Sequence, residues 1–145
     1  MTISPTTGAG PLRFGMKLPD VTALMGAPDK QYTDEDDNAI ALYYAAKLRL
    51  TFYAEEDFRL GYIIASDAEL ELYGHTILGR NSDDVKQILL AHGISKWTPE
   101  RYDSYENWFN EERWLILQTE FNEVVKVEIG AIINDKDEFD WKFNA

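Results

Sequence analysis

The chain has no cysteine, which excludes disulfides, thiolate metal sites, thiol nucleophiles and lipid attachment through a cysteine. Histidine is almost as scarce, at two residues, His75 and His92, and this removes the commonest general acid–base group. No G-x-S-x-G elbow, H-E-x-x-H pair or phosphate-binding glycine loop is present. The expectation is a protein that is not an enzyme and carries no cofactor. Basic residues are few as well: 14 Lys and Arg against 26 Asp and Glu leave a formal charge of -12. A surface of that sign repels phosphate backbones, so direct nucleic-acid binding is not expected. No stretch approaches the roughly 18 consecutive apolar residues of a membrane helix. Residues 1–14 lack both the basic start and the apolar run of a signal peptide, and a cytoplasmic location without membrane contact is expected.

What is present is a core-forming sequence of 145 residues, 45% hydrophobic, with an internal repeat. Gly15, Asp20, Val21 and Leu24 are matched sixty-four positions later by Gly79, Asp84, Val85 and Ile88. Both segments carry helix-start chemistry: Pro19 suits a first helical turn, and Ser82 is a candidate cap with Asp83 and Asp84 complementing the dipole. Gly26, followed by Pro28, should end the first helix and Gly93 the second, about one turn further on. That extra turn shifts the offset to sixty-seven.

The shifted offset aligns alternating segments. Leu48, Leu50 and Phe52 in 47–53 match Leu115, Leu117 and Thr119. Phe58, Leu60, Tyr62 and Ile64 match Val125, Val127, Ile129 and Ala131. Period-two alternation marks half-buried strands, with these sets predicted to face inward. Flanking strands are predicted at 39–44 and 107–111, with Leu42 and Phe109 inward, and at 69–73 and 139–143. The predicted fold class is therefore α+β: two tandem copies, 13–73 and 75–143, each a short helix followed by a three- to four-stranded antiparallel sheet, packed as one module.

The string from Gly15 to Pro28, GMKLPDVTALMGAP, resembles the opening motif of the SmpA/OmlA outer-membrane lipoproteins. That family shares with the secreted β-lactamase inhibitor protein a fold of a short helical segment and a small antiparallel sheet, and the inhibitor carries two such units in tandem. The resemblance implies a scaffold that binds other proteins, and bacterial toxin-immunity proteins are plausible users of it.

With Leu115, Leu117 and Phe109 inward, alternation turns Trp108, Trp114 and Ile116 outward. Large apolar residues on a solvated face are the pattern of a partner site. Tyr102, Asp103, Tyr105, Glu106, Glu111 and Glu112 lie close enough in sequence to rim it. The same pattern also arises where the face packs on the other copy or on residues 139–143. Asp34, Asp36 and Asn38 have the first, third and fifth spacing of a calcium loop, but Ala39 stands where its glycine belongs and Ala45 where its glutamate belongs. No metal site is assigned; Asp34, Glu35, Asp36 and Asp37 read as a solvated acidic loop able to touch a basic partner. The expected function is an intracellular inhibitor or immunity protein that occludes another protein, such as a basic toxin or effector, with a nuclease among the candidates. A structural adaptor related to envelope-assembly lipoproteins and a small-molecule-binding domain are the alternatives.

Overall fold

The structure, a computed structural model, describes residues 1–143. In chain order its elements are β1 (Thr2–Ser4), β2 (Gly8–Ala9), β3 (Leu12–Arg13), α1 (Leu18–Met25), β4 (Lys30–Thr33), β5 (Ala39–Tyr43), β6 (Leu48–Tyr53), β7 (Arg59–Ala65), β8 (Glu71–Leu72), β9 (His75–Thr76), α2 (Ser82–Leu90), β10 (Thr98–Arg101), β11 (Glu106–Asn110), β12 (Leu115–Glu120) and β13 (Glu123–Gly130).

Local chemistry sets the helix ends. The Asp20 carboxylate accepts the Lys17 N–H at 2.9 Å, and Gly26 stops α1 with φ 79°, a region that costs glycine nothing. At α2 the cap is Asn81, whose Oδ1 accepts the Asp83 N–H at 2.9 Å. Ser82, the predicted cap, is the first helical residue and is buried. Gly93 follows α2 with φ 83°.

Eight strands form one sheet in the order β10-β11-β12-β13-β7-β6-β5-β4. Two four-stranded meanders meet at their last strands, β7 and β13, where Ile63 faces Ile129 and Ala65 faces Val127 in antiparallel register. A second sheet has five short strands, β3-β2-β1-β8-β9. Its Ile3, Ala9, Leu12 and Leu72 join Val21 of α1 and Val85 and Leu89 of α2 in one core cluster with the inner row of the large sheet.

The expected fold class does not hold. Strand makes up 41% of the residues and helix 14%, and the sheets have eight and five strands. The protein is mostly β and is not a pair of helix-plus-small-sheet units. The cause lies in β7 and β13, whose inner rows (Leu60, Ile63 and Ala65; Val124, Val127 and Ile129) are fully buried. Strands that apolar make poor solvent edges, and pairing them satisfies both backbone ladders. Apart from β8, which falls within the strand predicted at 69–73, the small sheet escapes sequence reading because its strands are only two or three residues long, too short to show a period. Residues 98–101 and 30–33, for which no strand was predicted, form the two edge strands. Residues 139–143 form no ladder strand; the Lys142 and Phe143 N–H groups both donate to the Phe14 carbonyl at 3.0 Å.

Facing also departs from expectation on four strands. A register shift between Thr51 and Phe52 inserts Gly61 as an extra residue, so Leu60, Ile63 and Ala65 are buried while Tyr62 and Ile64 point outward, and Phe58 is exposed. A matching shift between Gln118 and Thr119 buries Val124 in place of Val125. In the hairpins, Leu117 pairs with Trp108 and Ile116 with Phe109, while Leu42 pairs with Arg49. Trp108 is therefore inward, and Phe109 and Leu42 are outward. Turn length, not alternation, decides which phase of β5 and β11 meets the inner row.

Candidate functional site

The outer face of the eight-stranded sheet lies opposite the helices and the small sheet. Across its middle run Phe109, Ile116, Glu128, Ile64, Arg49 and Leu42, each opposite the next in the ladder. The apolar members of this row are half-buried, whereas the inner row is fully covered.

Trp114 completes the row from the turn between β11 and β12. Its left-handed φ of 45° swings the side chain onto the outer face, where the ring lies against Gly130; a Cβ at Gly130 would overlap the indole. Phe109 meets the same ring edge-on, centroids 5.0 Å apart, a favoured aromatic geometry. Trp114 remains 38% exposed. Together with Phe109, Ile116, Tyr62, Asn107 and Glu100 it lines a groove of about 220 Å³. The Asn107 Oδ1 is buried without a hydrogen-bond partner. The Tyr62 hydroxyl donates to Glu128; burial first, then the hydrogen bond to Glu128 and its charge, hold that phenol protonated far above the ordinary tyrosine range.

Of the three residues predicted outward, the structure brings Trp114 and Ile116 together here. Trp108 is half-buried on the inner face, with the Lys86 Nζ of α2 3.0 Å from its ring centroid. Burial there lowers the Lys86 pKa, partly opposed by Asp83 and Glu106. Tyr102 and Tyr105 stack at 4.6 Å in the β10–β11 turn, where Asp103 is exposed and Glu106 pairs with Arg101 at 2.6 Å. The Tyr102 hydroxyl donates to Glu100 at 2.7 Å; that bond, then the Glu100 charge, raises its pKa. Glu111 and Glu112 are exposed in the turn that carries Trp114, Glu112 lying 3.3 Å from Lys96. The acidic loop lies at the other margin of the sheet, between β4 and β5. There Asp34 is spent on structure, its Oδ1 accepting the Asp36 and Asn38 N–H groups at 2.9 Å, while Glu35, Asp36 and Asp37 are exposed. Among the described residues no cluster of three or more His, Asp or Glu is placed to hold a metal ion.

Phe109, Tyr62, Asn107 and Ile64 belong to the groove or its row and were not expected there. Tyr62 and Ile64 are hidden by the bulge at Gly61. For Phe109 the neighbouring Trp108 makes both phases of β11 aromatic, and alternation alone does not choose between them.

No protein-family model matches the chain, and no curated protein matches it. Among solved structures it is similar to an extracellular protein containing a SCP domain from Bacillus anthracis, with a TM-score of 0.50 and 11% identity, over 79% of this chain and 42% of that one. The chain thus spans less than half the length of that protein, and the likeness is one of fold alone.

Proposed function

We propose that this chain is a protein-binding module that receives a basic protein on the outer face of its large sheet and acts by occlusion, as an inhibitor or immunity protein does. Trp114 carries the reading. It is a large aromatic residue, 38% exposed, seated on a glycine and braced by Phe109, and so it offers a partner a wide contact at little cost in side-chain entropy. Glu100, Glu111 and Glu112 are exposed on the strand and turn beside it, and the chain as a whole carries -12. Charge of that sign steers a basic partner toward the groove and speeds association more than it tightens binding.

Binding to the products of genes adjacent to its own tests the proposal, by calorimetry on the purified chain with Trp114→Ala alongside. The expected result is a basic protein that binds the chain and is silenced by it, with W114A weakening the complex by roughly thirtyfold, the effect of about 2 kcal/mol at an anchor. A folded W114A that binds and silences the partner as well as the parent refutes the assignment of the face. Failure of every adjacent product to bind refutes the functional reading.

A further inference from the structure

We propose that a second cleft on the outer face, about 330 Å³ and lined by Lys47, Arg49, Lys126, Ser66, Leu42 and Ile64 among others, binds a small amphiphilic anion, an acidic head group on a short apolar chain. In this chain acids outnumber bases 26 to 14, yet no acidic residue lines the cleft and three cations do. All three are exposed, and none is among the ion pairs of the described residues, in which the paired cations are Lys17, Lys96, Arg101 and Lys142, nor among the side-chain hydrogen bonds that engage Arg13, Arg59 and Arg113. Asp29 has its carboxylate engaged by the N–H of the lining residue Tyr44 at 2.8 Å. Glu128, opposite Ile64, is engaged by Tyr62.

The ladder explains the convergence. Arg49 faces Ile64 across β6 and β7. Lys126 comes one residue before Val127, which faces Ala65, so it lies beside Ser66. The Ser66 N–H in turn donates to the Lys47 carbonyl at 3.1 Å, which brings the turn holding Lys47 to the same point. Like charges lining one cleft repel one another, and a bound anion converts that repulsion into charge-assisted hydrogen bonds. Ser66 adds a hydroxyl donor. The floor is apolar, formed by the outward side chains of Leu42 and Ile64, so a bare ion would leave it wet while an alkyl chain would cover it. The volume lies at the small end of ligand sites. The site does not depend on the Trp114 groove, which uses different residues.

Titration of the isotope-labelled full chain by NMR tests this, with octanoate and octyl phosphate as probes, and acetate, inorganic phosphate and octylammonium as controls. Saturable shifts are expected for the amides of Lys47, Arg49, Ile64, Ser66 and Lys126, weakened by salt, with one of the two amphiphiles binding and thereby identifying the head group. The double substitution R49A/K126A should lower affinity by about tenfold or more, the scale of losing charged hydrogen bonds, while R49K/K126R and W114A retain it. The site is refuted if neither amphiphile gives localised, saturable shifts. It is equally refuted if octylammonium or the head groups alone bind as tightly, or if a folded R49A/K126A binds as the parent does. Loss of Trp114-dependent protein binding alone would leave this site intact.

Discussion

Gly130 is the seat of the exposed tryptophan, and adding one methyl group there should have opposite effects with and without the ring. Trp114 is 38% exposed, so roughly three-fifths of the residue is covered, about 100–150 Å² of the 150–250 Å² that a tryptophan buries in full. At about 25 cal/mol per Å² this is roughly 2.5–4 kcal/mol gross, and about 2–3 kcal/mol once the compactness of the unfolded chain is allowed for. In Gly130→Ala the new Cβ overlaps the indole, and the ring must leave. The backbone itself does not resist, because Gly130 is not among the positive-φ residues, and alanine is better than glycine within a strand by about 0.5–1 kcal/mol. The net expectation is a loss of about 1–2 kcal/mol in the parent. In a Trp114→Ala background the obstacle is gone, and G130A should stabilise by about 0.5–1 kcal/mol. Urea unfolding of the four proteins, followed by circular dichroism, measures the cycle. The parent pair should also show a red shift of tryptophan emission as the ring enters water. An equal effect of G130A in both backgrounds would refute the seating of Trp114 and with it the groove.

Two further outcomes follow from local geometry. Phe121 and Asn122 form the two-residue turn between β12 and β13 with φ of 49° and 66°, and Phe121 is 97% exposed. Its ring contributes no burial while its backbone favours asparagine or glycine, so Phe121→Asn should raise stability by about 0.5–1 kcal/mol; a lower urea midpoint would show that the ring is packed. For Tyr62 the folded pKa is raised, by burial first and then by Glu128, so its contribution is full below the unfolded value of about 10 and is lost as pH rises beyond it. Urea titrations from about pH 9 to 11 should show Tyr62→Phe losing less stability than the parent over that range, and identical slopes would contradict the buried neutral phenol.

Much of the secondary structure was legible because short periods report it directly. The alternation of Leu48, Leu50 and Phe52 falls on β6, that of Leu115 and Leu117 on β12, and the glycines at the helix ends, Gly26 and Gly93, have the positive φ expected of them. Part of the site was legible too. Trp114 and Ile116 stand outward, but Trp108 does not, because β11 carries adjacent aromatic residues and the four-residue turn that follows Asn110 sets their phase. The basic cleft left no mark in the sequence: Lys47, Arg49, Ser66 and Lys126 come from three separate segments of the chain.

By itself the sequence determined the charge, the absence of thiol chemistry, the positions of the helices and long strands, and which residues are apolar enough to need cover. These are properties of single residues and of their nearest neighbours along the chain. Tertiary structure alone decided that the two meanders share one eight-stranded sheet, that the first residues build a second one, that bulges turn Tyr62 and Ile64 outward, and that three cations meet at Ser66. Each of these depends on a register or a pairing between segments distant in sequence. A shift of one residue exchanges the buried and exposed faces of a strand while leaving its pattern unchanged.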